Sequence, residues 1–182
     1  QIKRTPLKII FLAPMTAFKQ NQDLGLRATP NAPTFEDMQA MLDWPDCHGI
    51  EEPQYTPITN KDPNLIKLFE KAMSQGKVII GHACGISRRG LNAYVGMGAD
   101  NDHECLTAEE ALEKARVGMR IAMREGSAAT DIGNVVKALT EYKVDPRYFS
   151  FNVDVISGFR AVRKGHIDEC IRTAVSKGLN PV

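Results

Sequence analysis

The sequence predicts an α/β fold in which a parallel sheet is flanked by helices, built from six strand-helix units of the kind that close a (β/α)8 barrel. Three observations carry this. Short apolar runs alternate with helical patterns, with little between them, which is the signature of parallel strands and crossover helices. Glu52, His82, His103 and Asp154 each close one of these apolar runs, so four metal-capable side chains fall at the carboxyl ends of strands, where barrel chemistry takes place. Finally, 182 residues at 43% hydrophobic and 25% charged can bury a sizeable core. Imidazole and carboxylate converging on one mouth suit a divalent metal that activates water.

Leu7 to Ala13 reads as a buried strand. Thr34 caps a helix that places Phe35, Met38, Met41 and Leu42 on one face. The run ending at Glu52 is the second strand, and Asp62-Pro63 then opens a helix with Leu65, Ile66, Phe69, Ala72 and Met73 facing inward, ended by Gly76. Lys77 to His82 is the third strand, followed by a helix that Ser87 can cap and that runs through Tyr94 and Val95. Ala99 to His103 is the fourth. Thr107-Ala108-Glu109-Glu110 then forms a capping box for a helix through about Val117. Met119 to Arg124 is the fifth strand, with a helix through Val135, Val136 and Leu139. Tyr148 to Asp154 is the sixth, and a helix from about His166 to Ser176 is closed by Gly178.

A complete (β/α)8 barrel needs eight units and typically about 250 residues, so the six present are expected to be part of a longer protein, an expectation supported by a start at Gln1. An open doubly wound sheet also accommodates six strands, but it normally carries an early Gly-rich phosphate turn, and none is found. A net charge of +1 without a run of Lys or Arg offers nucleic acid little to hold. The apolar stretches are too short to span a membrane and no export signal is seen. Cys47, Cys84, Cys105 and Cys170 are scattered, which suits reduced thiols and a cytoplasmic location.

Gly81-His82-Ala83-Cys84-Gly85, Leu91-Asn92-Ala93-Tyr94, Asp102-His103-Glu104-Cys105, Glu109-Glu110-Ala111-Leu112-Glu113-Lys114, Arg124-Glu125-Gly126-Ser127-Ala128-Ala129 and Gly165-His166-Ile167-Asp168 resemble adenine deaminases of the metal-dependent amidohydrolase superfamily. The match is dense from about Gly76 to Ala129. The resemblance implies a metal-bearing distorted (β/α)8 barrel with a small β-sandwich, residues 1–182 being a segment of the catalytic barrel. That family places a His-x-His pair on the first strand, a bridging Glu on the fourth, single His ligands on the fifth and sixth, and an Asp on the eighth. Glu52, His82, His103 and Asp154 fall at these last four positions, so Leu7 to Ala13 becomes strand three. Strands one and two, the His-x-His pair and the β-sandwich would then lie outside this sequence.

The implied activity is hydrolytic deamination of adenine to hypoxanthine and ammonia, a purine salvage reaction. Adding hydroxide to an aromatic carbon needs a nucleophile at neutral pH, and a metal lowers the pKa of bound water from about 15.7 to about 7. By this resemblance Glu52 bridges metals, His82 and His103 ligate, Asp154 ligates and moves the proton, and Glu104 contacts the ring. The centre is expected to be binuclear Mn or Fe, with Zn as the alternative, since all three accept this donor mixture. The full-length protein is expected to be a homo-oligomer with a small-molecule purine substrate and no nucleic-acid or membrane partner.

Taken singly, a His is more often a satisfied core or surface residue than a ligand; His82 and His103 differ because both close strands within matching segments. Of the adjacent Glu51 and Glu52, the family register selects Glu52. His166 is assigned to a helix N-terminus, His48 to a structural role, Cys84 and Cys105 to buried packing, and Arg160, Arg163 and Lys164 to a solvated loop. The chain departs from the family pattern at the mouth: Cys84 stands where Pro is usual, Val155 replaces a second Asp, Glu51-Glu52-Pro53 replaces a Gly-Glu-aliphatic run, and Pro14 to Pro33 has little of the expected pattern. These departures leave open a related amidohydrolase acting on another heterocyclic amine or cyclic amide, and the missing strands one and two with their His pair leave open a noncatalytic fragment.

Overall fold

In the computed structural model, residues 6, 8–20, 31–55, 58 and 60–181 are described. Their strands are β1 (Phe11–Pro14), β2 (Cys47–Glu51), β3 (Val78–Gly81), β4 (Ala99–Asp102), β5 (Arg120–Arg124) and β6 (Phe149–Asn152). They form a single sheet in the order β1-β2-β3-β4-β5-β6, with every neighbouring pair parallel. The connecting helices are α1 (Phe35–Leu42), α2 (Pro63–Ser74), α3 (Arg88–Gly96), α4 (Ala108–Arg116), α5 (Ile132–Val135), α6 (Lys137–Thr140), α7 (Gly158–Lys164) and α8 (Ile167–Ser176). A strand order that follows the chain without reversing is that of neighbouring strands in a (β/α) barrel. A doubly wound sheet would reverse it at a switch point.

Alternation along the strands divides the sheet into two faces. Ile50, Ile79, Ile121 and Met123 point to the helices and are buried. One core joins Ala13, Ile50 and Ile79 of β1 to β3 to Met38, Leu42, Leu65, Leu68, Phe69, Leu91 and Tyr94; a second joins Ile121 and Met123 of β5 to Ala111, Ile132, Val135, Val136, Cys170 and Ala174. The other face carries Ile80, Asn101, Ala122, Ser150 and Asn152, which with Arg120 and His103 line a cavity of about 290 Å³.

The helix signals hold unevenly. Thr34 accepts from the Asp37 N–H at 3.1 Å while Asp37 accepts from the Thr34 N–H at 2.8 Å, a complete capping box. The Asp62 side chain accepts from the Asn64 and Leu65 N–H groups. Thr107 accepts from the Glu110 N–H, but the Glu110 carboxylate turns away to the N–H groups of Leu106 and Gly85, so the second half of that box is unmade. Ser87 makes no side-chain cap, and the Arg88 N–H goes to Glu113 instead.

Several expectations need correction. The paired strands stop at Glu51, Gly81, Asp102 and Asn152, so the four metal-capable residues lie one or two residues beyond the ladder, not within it. On α2 the inward face is Leu65, Leu68, Phe69 and Ala72, whereas Met73 is exposed. The stretch through Val135 and Leu139 is two short helices, and α7 forms where a loop was expected. Strand β1 begins only at Phe11. The earlier part of its expected run includes Leu7, which lies outside the described residues, as do residues 21–30 of the Pro14 to Pro33 segment.

Candidate metal centre

Parallel pairing aligns the strand ends. Pro14 pairs with Glu51, Gly81 with Asp102, and Arg124 with Asn152, so the residues that follow are delivered to one edge of the sheet. Glu52, His82 and His103 are each the first residue past a strand, and Asp154 is the second past β6. Glu52 (φ 40°) and Asp154 (φ 51°) adopt the left-handed conformation, uncommon for side-chain-bearing residues and often found at functional sites. The Asp154 N–H donates to Asn152 Oδ1 at 2.7 Å, holding that turn.

Tyr94 joins two of these turns. Its fully buried hydroxyl accepts from the His82 N–H at 2.8 Å and donates to the Pro53 carbonyl, so the residues at the ends of β2 and β3 share one anchor on α3. Burial raises the Tyr94 phenol far above its ordinary value, and the group acts as a neutral donor and acceptor.

The side chains converge. His103 Nε2 lies 3.3 Å from Glu52 Oε1 and 3.5 Å from Glu104 Oε1; His82 Nδ1 lies 3.7 Å from Glu52 Oε2 and 3.8 Å from Glu104 Oε1. The two imidazoles meet edge to face with centroids 5.4 Å apart. Among the described residues, two donor groups have ligand atoms within 4.8 Å of one another: Glu52, His82 and His103, and His103, Glu104 and Asp154. His103 belongs to both. Glu104, expected to meet only the substrate, therefore lies among the metal-capable donors, while Asp154 is grouped with it and not with Glu52.

Arg124, at the end of β5, is a site residue that sequence reasoning missed. Its Nη1 donates to Glu104 and, at 3.2 Å, to Asp154, and its Nε and Nη2 donate to Asp131 at 3.1 and 2.8 Å. Its only advance signal was the Arg-Glu-Gly-Ser segment, which does not say where the guanidinium points.

This guanidinium pairs with Glu104, Asp131 and Asp154, and its charge also acts on Glu52. Burial first, and then the charges of Glu51, Asp154 and Glu104, push the Glu52 carboxyl up to about 7. Burial also lowers the His103 imidazole and so favours its neutral, ligating form. His82 Nδ1 is buried without a hydrogen-bond partner, which is costly for a polar atom. A divalent cation would relieve both the excess of carboxylate and the orphaned nitrogen, and two imidazoles with two or three carboxylates are donors suited to Mn²⁺, Fe²⁺ or Zn²⁺. These residues fit a metal.

Other candidates stand apart from the cluster. His48 is exposed, and His166 precedes α8 with its N–H on Asp168 Oδ1 at 2.7 Å. Cys105 is buried as expected, but Cys84 is exposed. Arg160 is no solvated loop residue: it lies on α7 and pairs with Glu125 at 2.8 Å and Glu169 at 3.0 Å.

Fold and cluster together define an α/β protein whose sheet carries a cation-suited centre at the carboxyl edge of its parallel strands. Proteins named adenine deaminase are similar to this chain. That of Staphylothermus marinus is 30% identical across 99% of this chain and 30% of its own length. The Methanosarcina mazei protein is 34% identical over 98% of this chain and 31% of its own length, and that of Desulfatibacillum aliphaticivorans 34% identical over 81% and 26%. The chain belongs to the adenine deaminase family. It spans between about a quarter and a third of the length of these curated relatives. No family model matches it.

Proposed function

We propose that this chain is the part of a metal-dependent adenine deaminase barrel that runs from strand three to strand eight, and that the whole protein hydrolyses adenine to hypoxanthine and ammonia. The observation that carries the reading is the meeting of Glu52, His82, His103, Glu104 and Asp154 at one sheet edge with the buried His82 Nδ1 left unpaired, in a chain of this family. Glu52, His82, His103 and Asp154 are the residues that would hold the metal, which when bound supplies hydroxide at neutral pH.

The remaining work falls to this chain's own side chains. Asp154 accepts the proton of the attacking water and returns it to the ring or the departing amine, so that water enters and ammonia leaves with protons balanced. Glu104, held by Arg124, is positioned to orient the purine ring. Arg124 ties both carboxylates to one guanidinium nitrogen.

A second reading, a related amidohydrolase acting on another ring amine or a cyclic amide, is favoured by the exposed Cys84 and Val155, each next to a donor-bearing turn where the family pattern differs. Ammonia release by the full-length protein, purified with Mn²⁺ and offered adenine and then other heterocyclic amines, separates the two. Turnover of adenine that is lost in Asp154→Asn while bound metal persists is the expected result. Bound metal with turnover only of another ring would overturn adenine as substrate.

A further inference from the structure

We infer that the buried pair Lys114–Asp102 is a positioning device for the metal site, setting the two turns that carry His82 and His103; this rests on the metal reading above. Lys114, on α4, is completely buried, and its ammonium donates at 2.7 Å to each of three acceptors: the Ala83 carbonyl, Asp102 Oδ2 and Glu110 Oε1. All three N–H bonds are thereby used. Asp102, also completely buried, accepts the Ala83 N–H at 2.8 Å and the Glu104 N–H at 3.1 Å. Glu110 accepts the N–H groups of Gly85 at 2.7 Å and Leu106 at 3.0 Å.

The positions gripped are regular. The network holds the backbone one and three residues past His82, at Ala83 and Gly85, and one and three residues past His103, at Glu104 and Leu106. It lies on the helix side of the sheet. Because side chains alternate along a strand, Asp102 points to Lys114 while His103, the next residue, points to the cluster. Gly81 pairs with Asp102 in the ladder, so both turns leave the sheet at one level and are fastened to one ammonium.

Stability alone gives little reason for such a pair, since replacing a buried ion pair with apolar groups of similar volume is often neutral or stabilising. What the pair supplies is backbone geometry beside the ligands, and the scale for such support is the loss of about 10–100-fold in affinity when hydrogen-bond partners of the ligands themselves are removed.

The test uses the full-length protein with Co²⁺ as the probe, following its visible d–d spectrum, its dissociation constant and the thermal melt of the metal-free form. The double variant Lys114→Met with Asp102→Asn removes both charges and keeps both shapes. It is expected to melt cooperatively yet bind Co²⁺ about 10–100-fold more weakly, with a shifted d–d band. A cooperative melt with an unchanged band and affinity would overturn the proposal and leave the pair as packing. Should the double variant not melt cooperatively, Glu110→Gln decides at the less buried end of the network: weakened Co²⁺ binding supports the proposal, and parental binding overturns it. Identical Co²⁺ spectra for the unmodified protein and His82→Ala would instead overturn the metal reading itself, and the positioning role with it.

Discussion

The Tyr94 hydroxyl meets the His82 N–H on one side and the Pro53 carbonyl on the other, in a fully buried setting. Tyr94→Phe leaves both backbone groups unsatisfied, and the expected cost is about 1–3 kcal/mol in urea unfolding; a change within error would show that water or a relaxed turn replaces the hydroxyl. Arg124→Met strands the part-buried carboxylates of Glu104 and Asp131 and the more exposed Asp154 without their cation, and loss of these charged hydrogen bonds is expected to destabilise the metal-free protein by about 1–3 kcal/mol. Added Mn²⁺ should recover part of that loss, because it supplies positive charge to the same carboxylates. The candidate ligands could be read in the sequence because a His or acid closing an apolar run has few places to go. Tyr94 and Arg124 could not, since a Tyr at helical spacing looks like core, and the direction of a guanidinium depends on partners 7, 20 and 30 residues away.

At the scale of elements, the backbones of β3 and β4 lie close together where the site is built. A Cβ on Gly81 would stand 2.1 Å from the Asn101 carbonyl oxygen, so Gly81→Ala must push the strands apart. We expect a loss of about 1–3 kcal/mol, read by denaturant unfolding, with unchanged stability counting against this packing. Strand and helix order followed from hydrophobic period, and the Thr34 and Asp62 caps followed from local chemistry. The failures arose where a tertiary partner competed. Glu110 abandons the second half of its capping box for Gly85, Leu106 and Lys114, and Arg88 gives its N–H to Glu113 across helices. Helix α7 has no buried residue, so its pattern carries no apolar stripe to recognise. Two strand-end residues with positive φ shortened the strands by placing Glu52 and Asp154 in turns.

For the molecule as a whole, sequential parallel strands gather the donors at one edge, and a cation is the component their charges call for. If Mn²⁺ binds the folded state there, stability rises with free metal as mass action requires, by about 2.7 kcal/mol at a concentration 100 times the dissociation constant. The full-length protein should therefore melt higher with Mn²⁺ than with a chelator, and His103→Ala should abolish most of that difference, because His103 is shared by both donor groups. The most direct test of the metal centre is an anomalous difference map from crystals of the full-length protein grown with Mn²⁺. A peak within coordination distance of His82, His103 and Glu52 is expected. Metal bound elsewhere, or a fully active protein with no peak between these side chains, would contradict that centre.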